Sequence, residues 1–315
     1  MPEISVVAPV YNQRAETLVE LVRRLSSAIA TITGDFEIIL VDDGSVNDAW
    51  PTIRNLAQSN PAVKGFRLAR NFGQHVAITA GLDYADGNWV VVMDADLQDR
   101  PEVIPELYAK ARQGYDVVFV NRVQRPESVV YRMTAACFYF ILNALSGQNF
   151  NRLQGSFSII SADVVRSFRL LRENIRFYGG ILRWVGFRHG SISAQHAAPD
   201  AGQTSYSFIK RVRFALSIIL GFSTRLLYIS IAIGLMMAIA SFVMAGFIVG
   251  EKLLYPEYQM LGWPSVMTAI FFTAGVTNVA IGLTGIYIGQ ILQQTKGRPL
   301  YIVAATTPAM QRSVG

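Results

Sequence analysis

The sequence predicts an α/β domain on a mostly parallel sheet, followed by an amphipathic interfacial helix and two transmembrane helices. Three observations lead there. Apolar strand-like runs alternate with helix-periodic segments through the amino-terminal part of the chain, the pattern of a mostly parallel sheet. Two later stretches, Leu226–Gly250 and Tyr258–Thr295, contain no charged residue. Hydrophobic residues make up 51% of the 315 residues and charged residues only 16%, against about 25% charged in an average soluble domain.

Ile4–Ala8 is the first strand. Leu18, Leu21, Val22, Leu25 and Ile29 recur at helical spacing and mark the first buried helix face. Phe36–Val41 is the second strand, and Asp48–Ala57 is helix-like. Val63–Leu68, Trp89–Met93 and Asp116–Val120 are further strands, with helices over Gly73–Tyr84 and Glu102–Arg112 between them. Ser128–Leu145 reads as a helix, and Ser156–Ser161 and His189–Ala197 as strands. No internal repeat or low-complexity tract interrupts this order. From Ser207 to Ser223, Lys210, Arg211 and Arg213 alternate with apolar residues, which suits a helix lying in a membrane interface. A bilayer is crossed by about 20 apolar residues in a helix, so Leu226–Gly250 is the first span. Pro264 and a polar start confine the second span to roughly Ser265–Ile288.

The expected organisation is therefore a catalytic domain over 1–206, an interfacial helix over 207–225, a transmembrane hairpin over 226–290 and a tail over 291–315. Lys210, Arg211, Arg213 and Arg225 precede the first span, and Lys296 and Arg298 follow the second. The connection carries only Lys252 against Glu251 and Glu257. The positive-inside rule then puts both termini in the cytoplasm. Met1-Pro2-Glu3-Ile4 enters a strand with no basic leader, so no signal peptide is expected. The tail after Tyr301 either packs on the first domain or is disordered; the residues leave both open. Net charge is +6, which anionic lipid accounts for without a nucleic-acid partner. Cys137 is the sole cysteine and reads as a buried inert thiol.

The chemistry-bearing residues follow the strands. After Trp89–Met93 come Asp94 and Asp96, whose side chains point the same way if the strand continues. Mg²⁺ takes oxygen ligands, commonly one or two carboxylates plus substrate phosphates. The pair therefore reads as a metal site holding a phosphorylated donor, with Gln98 as a further ligand. Tyr11, Asn12 and Gln13 follow the first strand, and Asp42, Asp43, Gly44 and Ser45 the second. Ligands of parallel α/β sheets bind beyond such carboxyl ends, where Asp42 or Asp43 would accept from a base N–H or a ribose hydroxyl. His75, His189 and His196 lack metal-ligand spacing; His75 reads as a helix-start residue.

Four ordered motifs carry a resemblance: Ala8-Pro9-Val10-Tyr11-Asn12, Val41-Asp42-Asp43-Gly44-Ser45, Arg70-Asn71-Phe72-Gly73-Gln74 and Asp94-Ala95-Asp96-Leu97-Gln98. They resemble the signatures of family 2 glycosyltransferases, and with the two spans the chain resembles the polyprenyl-phosphate glycosyltransferases, the group of dolichol-phosphate mannose synthase and the GtrB and ArnC types. The resemblance implies a GT-A fold, a nucleotide-sugar donor and a polyprenyl (undecaprenyl) phosphate acceptor at a bacterial inner membrane, with tetrameric relatives. By position, Asp94, Asp96 and Gln98 would hold Mg²⁺ or Mn²⁺ against the donor diphosphate, with Asp96 catalytic. Pro9, Tyr11, Asp42, Asp43 and Arg70 would line the nucleotide-sugar pocket. Arg122, Arg125 and Arg132 match basic positions that receive the acceptor phosphate, Arg122 and Arg132 acting in catalysis.

The chain departs from that pattern in three places. Relatives often carry an acid within the segment here reading Leu153-Gln154-Gly155-Ser156-Phe157, and an arginine just after it; no acid occurs from Asn151 to Ala162. Ser205 stands where a lysine is usual, and Gln13 where a glutamate is usual. Two other readings compete: a membrane-anchored transferase with a different acceptor, and a non-catalytic scaffold on the same fold. A dinucleotide-dependent oxidoreductase is excluded, because no Gly-x-Gly-x-x-Gly follows the first strand. Neither span holds an ionisable residue at mid-depth, which argues against a transporter.

Overall fold

The computed structural model describes residues 1–122, 140, 143–145, 154–195, 225–254 and 262–311. These fall into two compact units. The first draws on 1–122, 140, 154–195 and 299–311, and the second on 143–145, 225–254 and 262–298.

The first unit is built on one sheet. Its strands are β1 (Ile4–Val10), β2 (Phe36–Asp42), β3 (Val63–Leu68), β4 (Trp89–Val92), β5 (Val117–Arg122), β6 (Gln154–Ser161), β7 (His189–Ala194) and β8 (Val303–Thr306). They lie in the order β7-β5-β6-β4-β1-β2-β3-β8. The run β4-β1-β2-β3 is parallel, with Val7 opposite both Ile39 and Val92 and Val10 opposite Asp42. β6 is antiparallel to β4 and β5, while β7 is parallel to β5. The chain steps from β1 to β2 and β3 on one side and reaches β4 on the other. That makes the β1–β4 boundary a topological switch point, where such sheets open a ligand crevice.

The apolar strands are buried because helices cover both faces. On one face Ile4, Val6, Ala8 and Val10 of β1 pack with α1 (Ala15–Ala30), α2 (Ala49–Ser59) and α4 (Ile104–Ala111). The predicted stripe of α1 is the buried one: Leu18, Leu21, Val22, Leu25 and Ile29. Each fully buried leucine there contributes roughly 2 kcal/mol. On the other face α3 (Gln74–Tyr84) presses against β1. A Cβ at Gly81 would sit 2.2 Å from Val7 Cγ1, so glycine is what allows that approach. α4 begins two residues later than the sequence predicts, after a 3₁₀ turn over Pro101–Val103. Pro105 lacks the N–H of a helix interior and is tolerated only in a first turn.

Two features have no apolar signature. Glu37 is buried in β2, yet its oxygens accept from Ser5 Oγ at 2.5 Å, the Asp86 amide at 2.9 Å and Lys64 Nζ at 2.6 Å. These bonds pin β1, β2 and β3 to the loop after α3. The second is β8, which returns from the carboxyl end of the chain to pair antiparallel with β3. Thr307 is buried, donating its amide to Gly65 O at 2.9 Å and accepting from the Gly65 amide on Oγ1 at 3.0 Å. Tyr301 Oη donates to Asp83 Oδ2 at 2.7 Å, and Arg172 grips the same carboxylate with both terminal nitrogens. The packed tail, rather than the disordered one, is thus the arrangement adopted up to Gln311.

The second unit holds α5 (Arg225–Leu254) and α6 (Trp263–Thr295), which contain both predicted spans. Their apolar windows, Leu227–Met244 and Val266–Thr295, are long and apolar enough to cross a membrane, with none of either window buried. Phe242, Phe247, Phe271 and Phe272 are all exposed, as lipid-facing rings would be. The interfacial helix over 207–223 and most of Ser128–Leu145 lie outside the described residues.

The Thr307 bond gives a stability test. Thr307→Val keeps the shape but strips the buried Gly65 amide of its acceptor. It should cost about 1–3 kcal/mol in denaturant unfolding followed by fluorescence, whereas Thr307→Ser should stay close to the parent.

Candidate active site

The crevice at the switch point is assembled by backbone amides gripped by carboxylates. β2 ends at Asp42, which is fully buried. Its Oδ1 accepts from the Ser45 amide at 2.9 Å, and Oδ2 lies 3.3 Å from Arg67 Nε. Arg67 also donates to Ser45 O at 2.7 Å. Ser45 in turn accepts the Asn12 amide on Oγ at 2.8 Å, while Asn12 Oδ1 accepts the Val46 amide at 3.0 Å. Asn12 holds a left-handed φ of 53°, which asparagine tolerates better than most residues. The loops after β1 and β2 are therefore one hydrogen-bonded body.

Asp43 makes the longer connection. Oδ1 accepts from the Phe72 amide at 2.7 Å and Oδ2 from the Gly73 amide at 2.9 Å. Burial raises its pKa, and the two amides partly offset this. Gly44, with φ 70°, lies directly beneath the same segment; a Cβ there would be 2.4 Å from the carbonyl carbon of Arg70. The Arg70–Gly73 loop is thereby clamped over the end of β2 and leads straight into α3. Arg70 itself is exposed, its guanidinium 4.1 Å from the Phe72 ring centre.

α3 begins at Gln74, whose Nε2 donates to Asp94 Oδ1 at 2.5 Å. Ser156 Oγ, from β6, donates to the same oxygen at 2.9 Å. The Met93 amide bonds Val7 O at 3.2 Å, which sets Asp94 just past the paired part of β4. Asp96 Oδ1 accepts from the Gln98 amide at 3.0 Å and Oδ2 from Gln98 Nε2 at 2.6 Å. Leu97 between them takes a left-handed φ of 61°, so the chain turns back and the strand geometry ends. Asp94, Asp96 and Gln98 are all half-buried.

The predicted site residues thus divide by placement. Pro9 is half-buried at the end of β1 and Tyr11 is exposed just beyond it. Asp94, Asp96 and Gln98 share the loop after β4. Asp42 and Asp43 line the same end of the sheet, with carboxylates turned onto loop amides. Arg122 closes β5; Arg125, Arg132, Leu153 and Ser205 lie outside the described residues, while Gln154–Phe157 of the departing segment lie in β6. Sequence reasoning passed over Arg67, Gln74 and Ser156 as site-builders. Asn12 and Ser45 carried a signal in their turn chemistry, but Gln74 and Ser156 reach Asp94 only through the fold.

Among the described residues no cluster of three or more His, Cys, Asp or Glu side chains is placed to hold a metal ion. The donor set is nonetheless right for a hard cation: two carboxylates and an amide oxygen, with substrate phosphate oxygens completing the shell. Behind Asp94, His75 packs edge-on against Phe177 at 5.2 Å. Burial, then the charge of Arg176, pushes its pKa down to about 4. Burial, followed by Arg172, lowers Arg176 to about 10.

Residues 5–173 match the profile described as Glycosyl transferase family 2. The chain belongs to that family. It is a glycosyltransferase on a GT-A scaffold. A prophage bactoprenol glucosyl transferase homolog of Escherichia coli K12 is 34% identical, covering 96% of this chain and 98% of the relative. The bactoprenol glucosyl transferase of Shigella phage SfII is 35% identical over 96% and 97%. An uncharacterized glycosyltransferase of Synechocystis is also 35% identical, over 96% and 95%. Among solved structures, the fold is like glucosyl-3-phosphoglycerate synthase from Mycobacterium tuberculosis in complex with Mn²⁺, UDP and phosphoglyceric acid. That likeness has a TM-score of 0.51 at 19% identity, covering 70% of this chain and 77% of that one.

The low His75 pKa fixes a pH dependence. The unfolded chain takes up a proton near pH 6.5 and the folded one only near 4, so the contribution of neutral His75 is full above 6.5 and is lost as pH falls through about 4. Unfolding free energy should drop through that window by at most about 1.4 kcal/mol per pH unit from this group. His75→Gln should flatten that acid limb in a pH series of denaturant titrations.

Proposed function

We propose that the protein transfers a sugar from a nucleotide-sugar, a UDP-sugar, to polyprenyl phosphate (undecaprenyl phosphate) at the cytoplasmic face of a bacterial inner membrane. The transfer inverts the anomeric carbon and depends on Mg²⁺ or Mn²⁺. The observation that carries this reading is the extent of the similarity to bactoprenol glucosyl transferases, which runs over 96% of the chain and so takes in both apolar helices as well as the Asp94–Gln98 loop.

The roles follow from charge. Asp94 and Asp96 would hold a divalent cation against the donor diphosphate; that cation supplies Lewis-acid stabilisation of the leaving negative charge. Asp43 holds the Arg70–Gly73 loop in place, and Pro9 and Tyr11 border the nucleoside side of the crevice. Arg122, Arg125 and Arg132 would receive the acceptor phosphate, whose geometry suits guanidinium forks. A phosphate monoester has a second pKa near 6, so at neutral pH it arrives as a dianion. It attacks the anomeric carbon from the face opposite the leaving group without a strong base. The segment Leu153–Phe157, where relatives often carry an acid and this chain has none, is compatible with such an acceptor. A sugar hydroxyl would call for a base at this point. Positioning and electrostatics then supply most of the rate.

The test is direct. Purified protein in detergent receives UDP-, GDP- and dTDP-sugars with undecaprenyl phosphate and Mg²⁺ or Mn²⁺. One UDP-sugar should yield a glycolipid of inverted anomeric configuration. No product from any donor, under conditions in which a bactoprenol glucosyl transferase works, contradicts the reading. Asp96→Asn should lower turnover by about 100-fold or more with folding intact, as removal of a charge-stabilising group does. Arg132→Ala should raise the apparent KM for lipid phosphate while leaving the KM for donor unchanged.

A further inference from the structure

Asp94 is held by two donors that come from different parts of the fold. Gln74 reaches it from the first residue of α3, and Ser156 from the third residue of β6. Both bond to Oδ1, at 2.5 Å and 2.9 Å. A carboxylate anchored through one oxygen from two directions has its plane fixed, and with it the direction of the second oxygen. Asp96 is held differently, by the backbone and side chain of Gln98 in its own loop. The two carboxylates therefore depend on separate supports.

We propose that Ser156 and Gln74 are positioning residues that orient Asp94 toward the divalent cation. Ser156 does so as a hydroxyl donor, within the segment Leu153–Phe157 that holds no acid. This rests on the metal role of Asp94 proposed above. The chemistry of the site favours it. A hydroxyl donates a hydrogen bond to a carboxylate without adding charge, so the bond from Ser156 fixes orientation alone. Outer partners of metal-binding carboxylates act in this way in general, by fixing orientation.

The test uses the full chain in detergent with UDP present, titrated with Mn²⁺ and read by the electron paramagnetic resonance of the free ion. Ser156→Ala should raise the Mn²⁺ Kd by about tenfold or more, and Gln74→Ala should do the same, in the range seen for outer-shell partners. Ser156→Thr keeps the hydroxyl and should restore binding to within about twofold of the parent, since the donor to the carboxylate is retained. The KM for lipid phosphate should not move in any of the three. Parental Mn²⁺ binding by Ser156→Ala, with binding abolished in Asp94→Asn, overturns the positioning role and leaves the metal role standing. Parental binding by Asp94→Asn overturns the metal role and the inference with it. Because Gln74 is exposed at a helix start, its variant reads out the same bond even if Ser156→Ala folds poorly.

Discussion

The grip of the Asp43 carboxylate on the Phe72 and Gly73 amides is the constraint from which the rest of the site follows, since it joins the end of β2 to the entry of α3. Fixing Gly73 fixes Gln74, the first residue of α3, and Gln74 meets Asp94 at the end of β4. The same body extends the other way through Gly44, Ser45 and Asn12 to the end of β1. Three strand ends of a parallel sheet are thereby locked at the switch point by polar bonds, while the apolar packing of Val6, Ala8 and Leu40 keeps the strands in register beneath. Burying two carboxylates is costly; loop amides bond both oxygens of Asp43 and one of Asp42, whose Oδ2 lies 3.3 Å from Arg67 Nε. What the fold gains is a rigid rim on which the reacting groups can be placed.

A division of labour follows. The first unit supplies a charged crevice on a rigid sheet. The second supplies two long apolar helices whose side chains face outward, a surface suited to lipid and to an acceptor that cannot leave it. A phosphate acceptor brings its own negative charge to the interface. Under the proposed reaction, neutralising the departing diphosphate and aligning the acceptor would fall to a cation on oxygen ligands and to arginines, with no proton-abstracting base required. After the second helix, Val303–Thr306 forms β8 and so is part of the sheet that carries the crevice.

Much of this was legible in the residues, for physical reasons that also mark the limits. Strands such as Val90–Val92 and the α1 stripe announce themselves because burial selects apolar side chains with the period of the element. The Asp94–Gln98 motif was legible because hard-cation chemistry needs oxygen ligands at a strand end. β8 was not: Val303-Ala304-Ala305-Thr306 is short and mildly apolar, and its partner β3 lies more than two hundred residues earlier. Glu37 was hidden because a buried carboxylate looks like an exposed one until its donors are known. Asp42 and Asp43 read as ligands of a nucleoside; their bonds to the Ser45, Phe72 and Gly73 amides were not legible, because they depend on how the loops fold back. The contact of Ser156 and Gln74 with Asp94 was hidden because only the sheet order β6-β4-β1 brings them to the same carboxylate.

The central claim is that one diphosphate-bound cation sits at the end of β4, on the rim that Asp43 holds together. Anomalous diffraction from crystals of the protein with Mn²⁺ and UDP tests it most directly. The account predicts one manganese peak within coordination distance of both Asp94 and Asp96, bridged to the UDP phosphates, with the Phe72 and Gly73 amides still on Asp43. A manganese peak away from these two carboxylates, or ordered UDP with no metal between it and Asp94, would contradict the account.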